Sequence, residues 1–247
     1  MGIYAQTKKH IWRLRELGLG LLFPRRCPIC DEIAPVGEKI CPDCIKKVKY
    51  TGSQTCMRCG KPVESKRVEY CYDCSRKQHN FCQGKSVFLY AGGMKESMYR
   101  FKYQNKREYA DFYAAEAMQL YGKWLHERQV EVIVPIPMYT AKKRLRGYNQ
   151  AEVFAEALGR ESGIPVKKNL AERIRNTVPQ KKLNDIDRKK NLKGAFKISQ
   201  DIVKYKKVLL VDDIYTTGST MDAVAGELRT AGIDKIYFLC ISIGQGC

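Results

Sequence analysis

From about residue 84 onward the apolar positions switch between two periods. Ser86–Ala91 (SVFLYA) is β-branched and aromatic and predicts a strand. Val130–Val134 (VEVIV) predicts a second strand, stopped by Pro135 and Pro137. Lys207–Val211 and Lys235–Ile243 are short apolar runs of the kind buried in a sheet. Between them, Tyr109–Leu125 carries Ala, Met and Leu at helical spacing, and Gln150–Gly159 puts Val153, Phe154, Ala157 and Leu158 on one face. Ser219–Ala231 reads as the helix after the third of these strands. This alternation predicts an α/β fold: a mainly parallel sheet flanked by helices.

Before residue 84 the pattern is different, with short loops, few aliphatic runs and, beside Cys82, eight of the chain's 11 cysteines in close pairs. These form four Cys-x-x-Cys pairs: Cys27/Cys30, Cys41/Cys44, Cys56/Cys59 and Cys71/Cys74. The longest apolar run, Leu17–Phe23, is too short to cross a bilayer, and no secretory leader is legible, so the chain is expected in the cytoplasm. In that reducing compartment such pairs are metal ligands rather than disulfides. Each pair presents two thiolates to one tetrahedral ion, and two pairs complete a closed structural Zn²⁺ site. Two such sites are expected. Sequential grouping costs least in loop closure, and a cross-braced grouping of alternate pairs is the alternative. Cys240 lies in an apolar run and reads as a small core residue. His79 reads as a surface histidine.

The chain has 247 residues and a formal charge of +19, which two Zn²⁺ on eight thiolates would bring to about +15. Hydrophobic residues at 44% supply a packed core and exclude disorder as the main state. The charge points to polyanionic partners: nucleic acid, phosphorylated small molecules or an anionic membrane surface. Met98–Arg107 interleaves Tyr99, Phe101 and Tyr103 with Arg100, Lys102, Lys106 and Arg107, a pattern suited to stacking on single-stranded bases. If that segment is a helix, Phe101 and its neighbours read equally well as core. Lys142, Lys143, Arg144 and Arg146 form a second cluster. Arg173–Lys197 is a third, with nine Lys or Arg against two Asp in a loop-like stretch. Charge alone does not separate DNA from a phosphorylated ligand at these sites. The first 23 residues have an amphipathic pattern, with Ile11, Trp12, Leu14, Leu17 and Leu21 near Lys8, Lys9, Arg13 and Arg15. They suit docking on a partner, on the chain's own domain, or peripherally on the inner face of a membrane.

Val208–Thr220 (VLLVDDIYTTGST) is the most informative stretch. Four apolar residues lead to Asp212 and Asp213, then to Thr216, Thr217, Gly218, Ser219 and Thr220 at the start of a helix. Strand ends of open α/β sheets bind ligands, and a small-residue loop opening a helix suits a phosphate. Adjacent carboxylates can accept hydrogen bonds from two ribose hydroxyls, so the order fits a ribose 5-phosphate group.

All thirteen of these positions resemble the signature by which type I phosphoribosyltransferases bind phosphoribosyl pyrophosphate (PRPP). Arg144–Gln150 (RLRGYNQ) and the spread set Arg173, Thr177, Gln180, Leu183, Arg188, Asn191 and Phe196 are similar to the ComF family. That resemblance implies a double zinc ribbon at 27–84 and a phosphoribosyltransferase-like domain at 85–247, to follow the amphipathic N-terminal helix that the residue pattern predicts at 1–26. It implies that Asp212 and Asp213 hold the ribose hydroxyls and Mg²⁺, as catalytic residues if the site turns over. Residues 216–220 would hold the 5-phosphate, and Pro135–Tyr139, with Met138, would take the place of the pyrophosphate loop. Pro135 and Pro137 depart from the glycine-bearing loops of active relatives, because neither has an N–H to offer. The resemblance further implies a part in natural transformation, with single-stranded DNA and a helicase-like ATPase, ComFA, as partners. An active phosphoribosyltransferase that uses a nitrogen nucleophile and a zinc-ribbon scaffold without ligand are the alternatives. Fold likeness does not choose among the three.

Overall fold

The computed structural model of the chain describes residues 24–176 and 191–244. Residues 1–23 of the expected N-terminal helix, residues 177–190 of the basic loop and Cys247 lie outside the described residues.

In chain order the elements are α1 (Pro42–Ile45), α2 (Tyr72–Arg76), β1 (Gln83–Leu89), α3 (Gly93–Tyr103), α4 (Tyr109–Glu127), β2 (Val132–Pro135), α5 (Thr140–Arg146) and α6 (Gln150–Ser162). They continue with β3 (Ala171–Arg173), β4 (Phe196–Ile198), β5 (Lys207–Tyr215), α7 (Ser219–Thr230) and β6 (Lys235–Ile243). β1, β6, β5 and β2 lie side by side in that order, all parallel, and β3 pairs antiparallel with β4 in a separate hairpin.

Successive residues of the central strands feed opposite cores, which is why these strands read as unbroken apolar runs. Leu209, Val211, Leu239 and Ile241 pack with α3, α4 and α6 through Met98, Phe101, Phe112, Tyr113 and Phe154. Val208, Leu210, Phe238 and Cys240 pack on the other side with Val224 and Leu228 of α7 and Phe196 of β4. Cys240 is therefore core, as expected.

The cysteine-rich segment grips both faces. Cys27, Ile29, Ile40 and Cys44 join the first core, and Cys56, Cys59 and Phe81 join the second. Between the two tetrads the chain crosses the outer edge of β1. Thr51 N–H donates to the Val87 carbonyl at 3.1 Å, and Leu89 N–H donates to the Lys49 carbonyl at 2.8 Å. The exposed row of donors and acceptors on that edge is thereby occupied. Further along, Gly84 N–H donates to the Arg58 carbonyl at 2.7 Å. Gly84 is forced by space, since a Cβ there would lie 2.0 Å from the Phe238 ring.

The bounds of β6 are those expected from its apolar run. β5 differs from its expected extent: it continues through Asp212 and Asp213 to Tyr215, because its pairing with β6 runs on to Tyr215 opposite Ile243. The two carboxylates are held in strand geometry rather than in the loop after it.

Candidate functional site

The thiols group sequentially. Cys27, Cys30, Cys41 and Cys44 form one cluster and Cys56, Cys59, Cys71 and Cys74 another, with all ligand atoms in each cluster within 4.8 Å of one another. Cys30 Sγ lies 3.8 Å from Cys41 Sγ, and Cys59 Sγ lies 3.6 Å from Cys71 Sγ. A tetrahedron of Zn–S bonds of about 2.3 Å needs sulfurs about 3.8 Å apart, so both clusters fit Zn²⁺. The thiols' own chemistry agrees. Burial disfavours the Cys27 thiolate, yet backbone N–H groups of Cys30, Cys41 and Ile29 bring its pKa down to about 7. Burial and hydrogen bonds with Cys27 and Cys30 push Cys41 up to about 12 and Cys44 to about 11. Four such sulfurs ionise together only with a cation among them.

The second site lies where β5 gives way to α7. A small cavity there is lined by Asp212, Ile214, Tyr215 and residues 216–221. Gly218 stands before the helix in the left-handed region (φ +77°), and a Cβ there would come within 2.4 Å of the Tyr215 hydroxyl. No side chain caps α7, and its first residues line that cavity, so the opening N–H groups of the helix have no helical acceptor. Thr217 and Ser219 hydroxyls lie 3.0 Å apart at the same mouth. A larger apolar cleft (Met118, Leu125, Ile164) opens beside Val130, at the opposite end of the strands and away from this chemistry.

Charge organises the rest. Lys102 Nζ of α3 lies 2.9 Å from Asp213 Oδ2, with the two side chains only 19% and 15% exposed. Burial works against the Lys102 ammonium, but Asp213 and then Asp212 outweigh it and raise its pKa. Asp212 is pushed up to about 8, first by burial and then by the charge of Asp213, against the pull of Lys102 and Arg173. Lys142 is held below the usual lysine range by burial and then by the charges of Arg173 and Arg146. Lys102 and Arg173 therefore act directly on the carboxylate pair, with Arg146 close to Lys102 and Lys142 close to Arg173. A ligand with a divalent cation and several phosphate oxygens complements that arrangement.

RLRGYNQ is the frame of this site. Gly147 closes α5 in the left-handed region, and Asn149 caps α6 by accepting from Ala151 N–H at 3.1 Å. Asn149 Nδ2 also donates to the Ile136 carbonyl at 2.9 Å, tying down the 135–139 loop. Tyr148 hydroxyl donates to the Phe101 carbonyl, and Gln150 Nε2 to the Lys102 carbonyl at 3.3 Å, which locates the end of α3. In the 135–139 loop, Ile136 N–H is bonded to the Val211 carbonyl at 2.9 Å. With prolines at 135 and 137, only the Met138 and Tyr139 amides remain to meet an anion.

Two sequence expectations are corrected. Phe101 is fully buried, 5.4 Å from the Tyr113 ring centre, and cannot stack on a base. Arg100 donates to the Ile29 carbonyl at 3.1 Å and Lys106 pairs with Asp31 at 2.9 Å, so with Lys102 these cations hold the fold together. Tyr99 and Tyr103 do remain exposed, at 57% and 59%, with ring centres 5.1 Å apart and Arg146 over Tyr103. Arg107 lies over Tyr148, Lys143 pairs with Glu152 at 2.7 Å, and Arg144 is exposed. His79 is the second correction: it is buried, between Cys74 and Asp222. Sequence reasoning missed it because Asp222 is 143 residues downstream.

Residues 18–75 match the double zinc ribbon domain and residues 151–243 the phosphoribosyl transferase domain. The chain is 31% identical to Competence protein F of Haemophilus influenzae, over 87% of this chain and 95% of that protein. It is 28% identical to Competence protein ComFC of Bacillus subtilis, over 79% of this chain and 80% of that one. It is 27% identical to the DNA utilization protein YhgH of Escherichia coli, over 90% and 98%. Among the described residues no helix is long and apolar enough to cross a membrane. With both cysteine tetrads assembled, the parallel sheet in place and this identity spanning nearly the whole of Competence protein F, the chain belongs to the ComF family.

Proposed function

We propose that this chain is a cytoplasmic competence factor that handles incoming single-stranded DNA and binds Mg²⁺–PRPP at the β5–α7 site. The observation that carries the ligand is the close set of Asp212, Asp213 and the uncapped first turn of α7, with Lys102 and Arg173 beside the carboxylates. Asp212 and Asp213 would hold the ribose hydroxyls and Mg²⁺, and residues 216–220 the 5-phosphate. Lys142, Arg146 and Arg173 would meet the pyrophosphate, a task the 135–139 backbone is poorly equipped for. The names of the relatives support the competence setting, and the ATPase ComFA is the partner we assign within it.

Calorimetry with Mg²⁺–PRPP tests the site. Wild type should bind, and Asp212→Asn/Asp213→Asn should abolish binding while the fold and zinc content are kept. Equal binding by both proteins would sink the reading. Release of pyrophosphate when a nitrogen nucleophile is added would extend it to turnover.

For DNA, the platform we assign is the exposed pair Tyr99 and Tyr103. Base stacking on an aromatic ring is worth about 1–3 kcal/mol. Tyr99→Ala/Tyr103→Ala should therefore weaken salt-sensitive binding of single-stranded DNA by roughly tenfold or more. Unchanged affinity in a fluorescence anisotropy titration would place the DNA elsewhere.

A further inference from the structure

The segment between the second tetrad and β1 is fastened along α7. His79, its side chain 1% exposed, stacks on Phe81 at 4.7 Å between ring centres. Its Nε2 is 3.4 Å from Cys74 Sγ, and its Nδ1 donates to Asp222 Oδ2 at 2.5 Å. Asn80 continues the seam. Its N–H donates to Asp222 Oδ1 and its Nδ2 to the Asp222 carbonyl, each at 3.0 Å. A Cβ on Gly226 would lie 3.0 Å from Asn80 Nδ2, so the two chains approach closely there. Further along, Arg229 Nε donates to the Asn80 carbonyl at 2.5 Å. Positions 222, 226 and 229 form one stripe of the helix.

Asp222 is also the residue whose N–H closes the first helical bond of α7, to the Gly218 carbonyl at 2.8 Å. The same residue thus fixes the turn that presents the loop amides and receives the imidazole packed on a cysteine ligand. Its carboxylate lies near the helix N-terminus, where it would compete with a bound anion for positive potential. Three donor contacts from His79 and Asn80 turn the residue toward the tetrad instead.

We propose that His79 is a positioning residue that couples the second tetrad to the β5–α7 loop, so that Zn²⁺ at the one and an anion at the other favour each other. When the four sulfurs close on a metal, Cys74 has one place to be. The ring stacked between Cys74 and Asp222 follows it, and the first turn of α7 is set in consequence. Linkage requires the effect to be equal in both directions. The inference rests on the loop being an anion site, but its first test needs no ligand.

That test is amide hydrogen exchange on the zinc-loaded full chain, as wild type and as His79→Ala, with zinc content measured in parallel. Exchange across 216–224 should quicken about tenfold in His79→Ala, a coupling of ordinary size, while the peptides of β5 and β6 stay protected. Asp222→Asn keeps the shape of the residue and leaves Cys74 untouched, so it provides the same readout if His79→Ala loses metal. A second measurement takes the rate at which a chelator removes Zn²⁺. Inorganic phosphate should slow removal of one of the two ions in wild type and not in the variants. Unchanged exchange in 216–224 with both ions bound overturns the proposal, and so does an increase spread evenly over the whole chain. If the exchange result holds while neither phosphate nor Mg²⁺–PRPP binds, His79 still positions the loop, but the anion half of the proposal falls together with the ligand reading. If both bind normally and exchange is flat, the coupling falls alone.

Discussion

Cys56→Ser should lower the zinc content from two ions per chain to one and the melting temperature by roughly 10 °C, through a loss of about 4 kcal/mol. The argument starts from where the sulfur lies. Cys56 is fully buried, and it shares a core with Cys59, Phe81, Phe238 and Val208 of the sheet. A serine hydroxyl is a poor ligand for a structural site built on thiolates, so the three remaining sulfurs lose their common charge partner. Zinc binding to such modules is folding free energy, of order 10 kcal/mol in isolated fingers. Here part of it is retained by packing against β1 and β6, which is why the expected loss is smaller than the whole. The control is Asp43→Ala, which removes a carboxylate paired only at the surface with Lys46 at 3.2 Å. Such pairs contribute about 0.5 kcal/mol or less, so that variant should melt with wild type. Zinc analysis and a thermal scan decide the matter. A Cys56→Ser protein with two ions bound, or one melting within a degree or two of wild type, would contradict the expected dependence.

What the sequence disclosed followed from local pattern. Spacing alone identified the eight ligands, the apolar run identified β6 at its observed bounds, and the carboxylates with the TTGST loop marked the end of β5. Two errors have a common physical origin. Met98–Arg107 looks like a basic aromatic surface, but Met94, Met98 and Phe101 recur at helical spacing and bury one face of α3. That spacing was readable. The ion pairs that take Lys102 to Asp213 and Lys106 to Asp31 join residues distant in sequence, and no local pattern announces them. His79 is the same case. Its surroundings are set by Asp222 on α7, which only the closed fold brings beside the second tetrad. The antiparallel cover of β1 by residues 49–51 likewise has no local signature, since those residues form no run of their own. The contacts that join the cysteine-rich segment to the sheet were thus the least legible part.

Asp212→Asn should melt higher than wild type at pH 8 and together with it near pH 4. The folded protein holds the Asp212 proton up to about pH 8, because burial and the neighbouring Asp213 charge disfavour its carboxylate. In the unfolded chain the same group releases its proton at about pH 4. Between those values the folded state binds more protons than the unfolded one, so stability falls as pH rises through that window and is level on either side. At about 1.4 kcal/mol for each pH unit of that window, the penalty at pH 8 is of order 5 kcal/mol, or roughly 10 °C or more for a domain of this size. Asparagine has no proton to lose, and the slope should disappear with it. A variant that melts at or below wild type at pH 8 would mean that Asp212 is already charged and well paired in the free protein. The expected result has the opposite meaning. A carboxylate kept at a cost to stability, beside a second one that Lys102 pairs at close range, is what a site for a cation-bearing ligand requires, since the ligand's metal restores the missing charge. Binding of Mg²⁺–PRPP should then expel a proton near neutral pH, making the calorimetric enthalpy depend on the buffer that receives it. The pH dependence of the empty site and the proton count of the filled one are two readings of the same group, and they must agree.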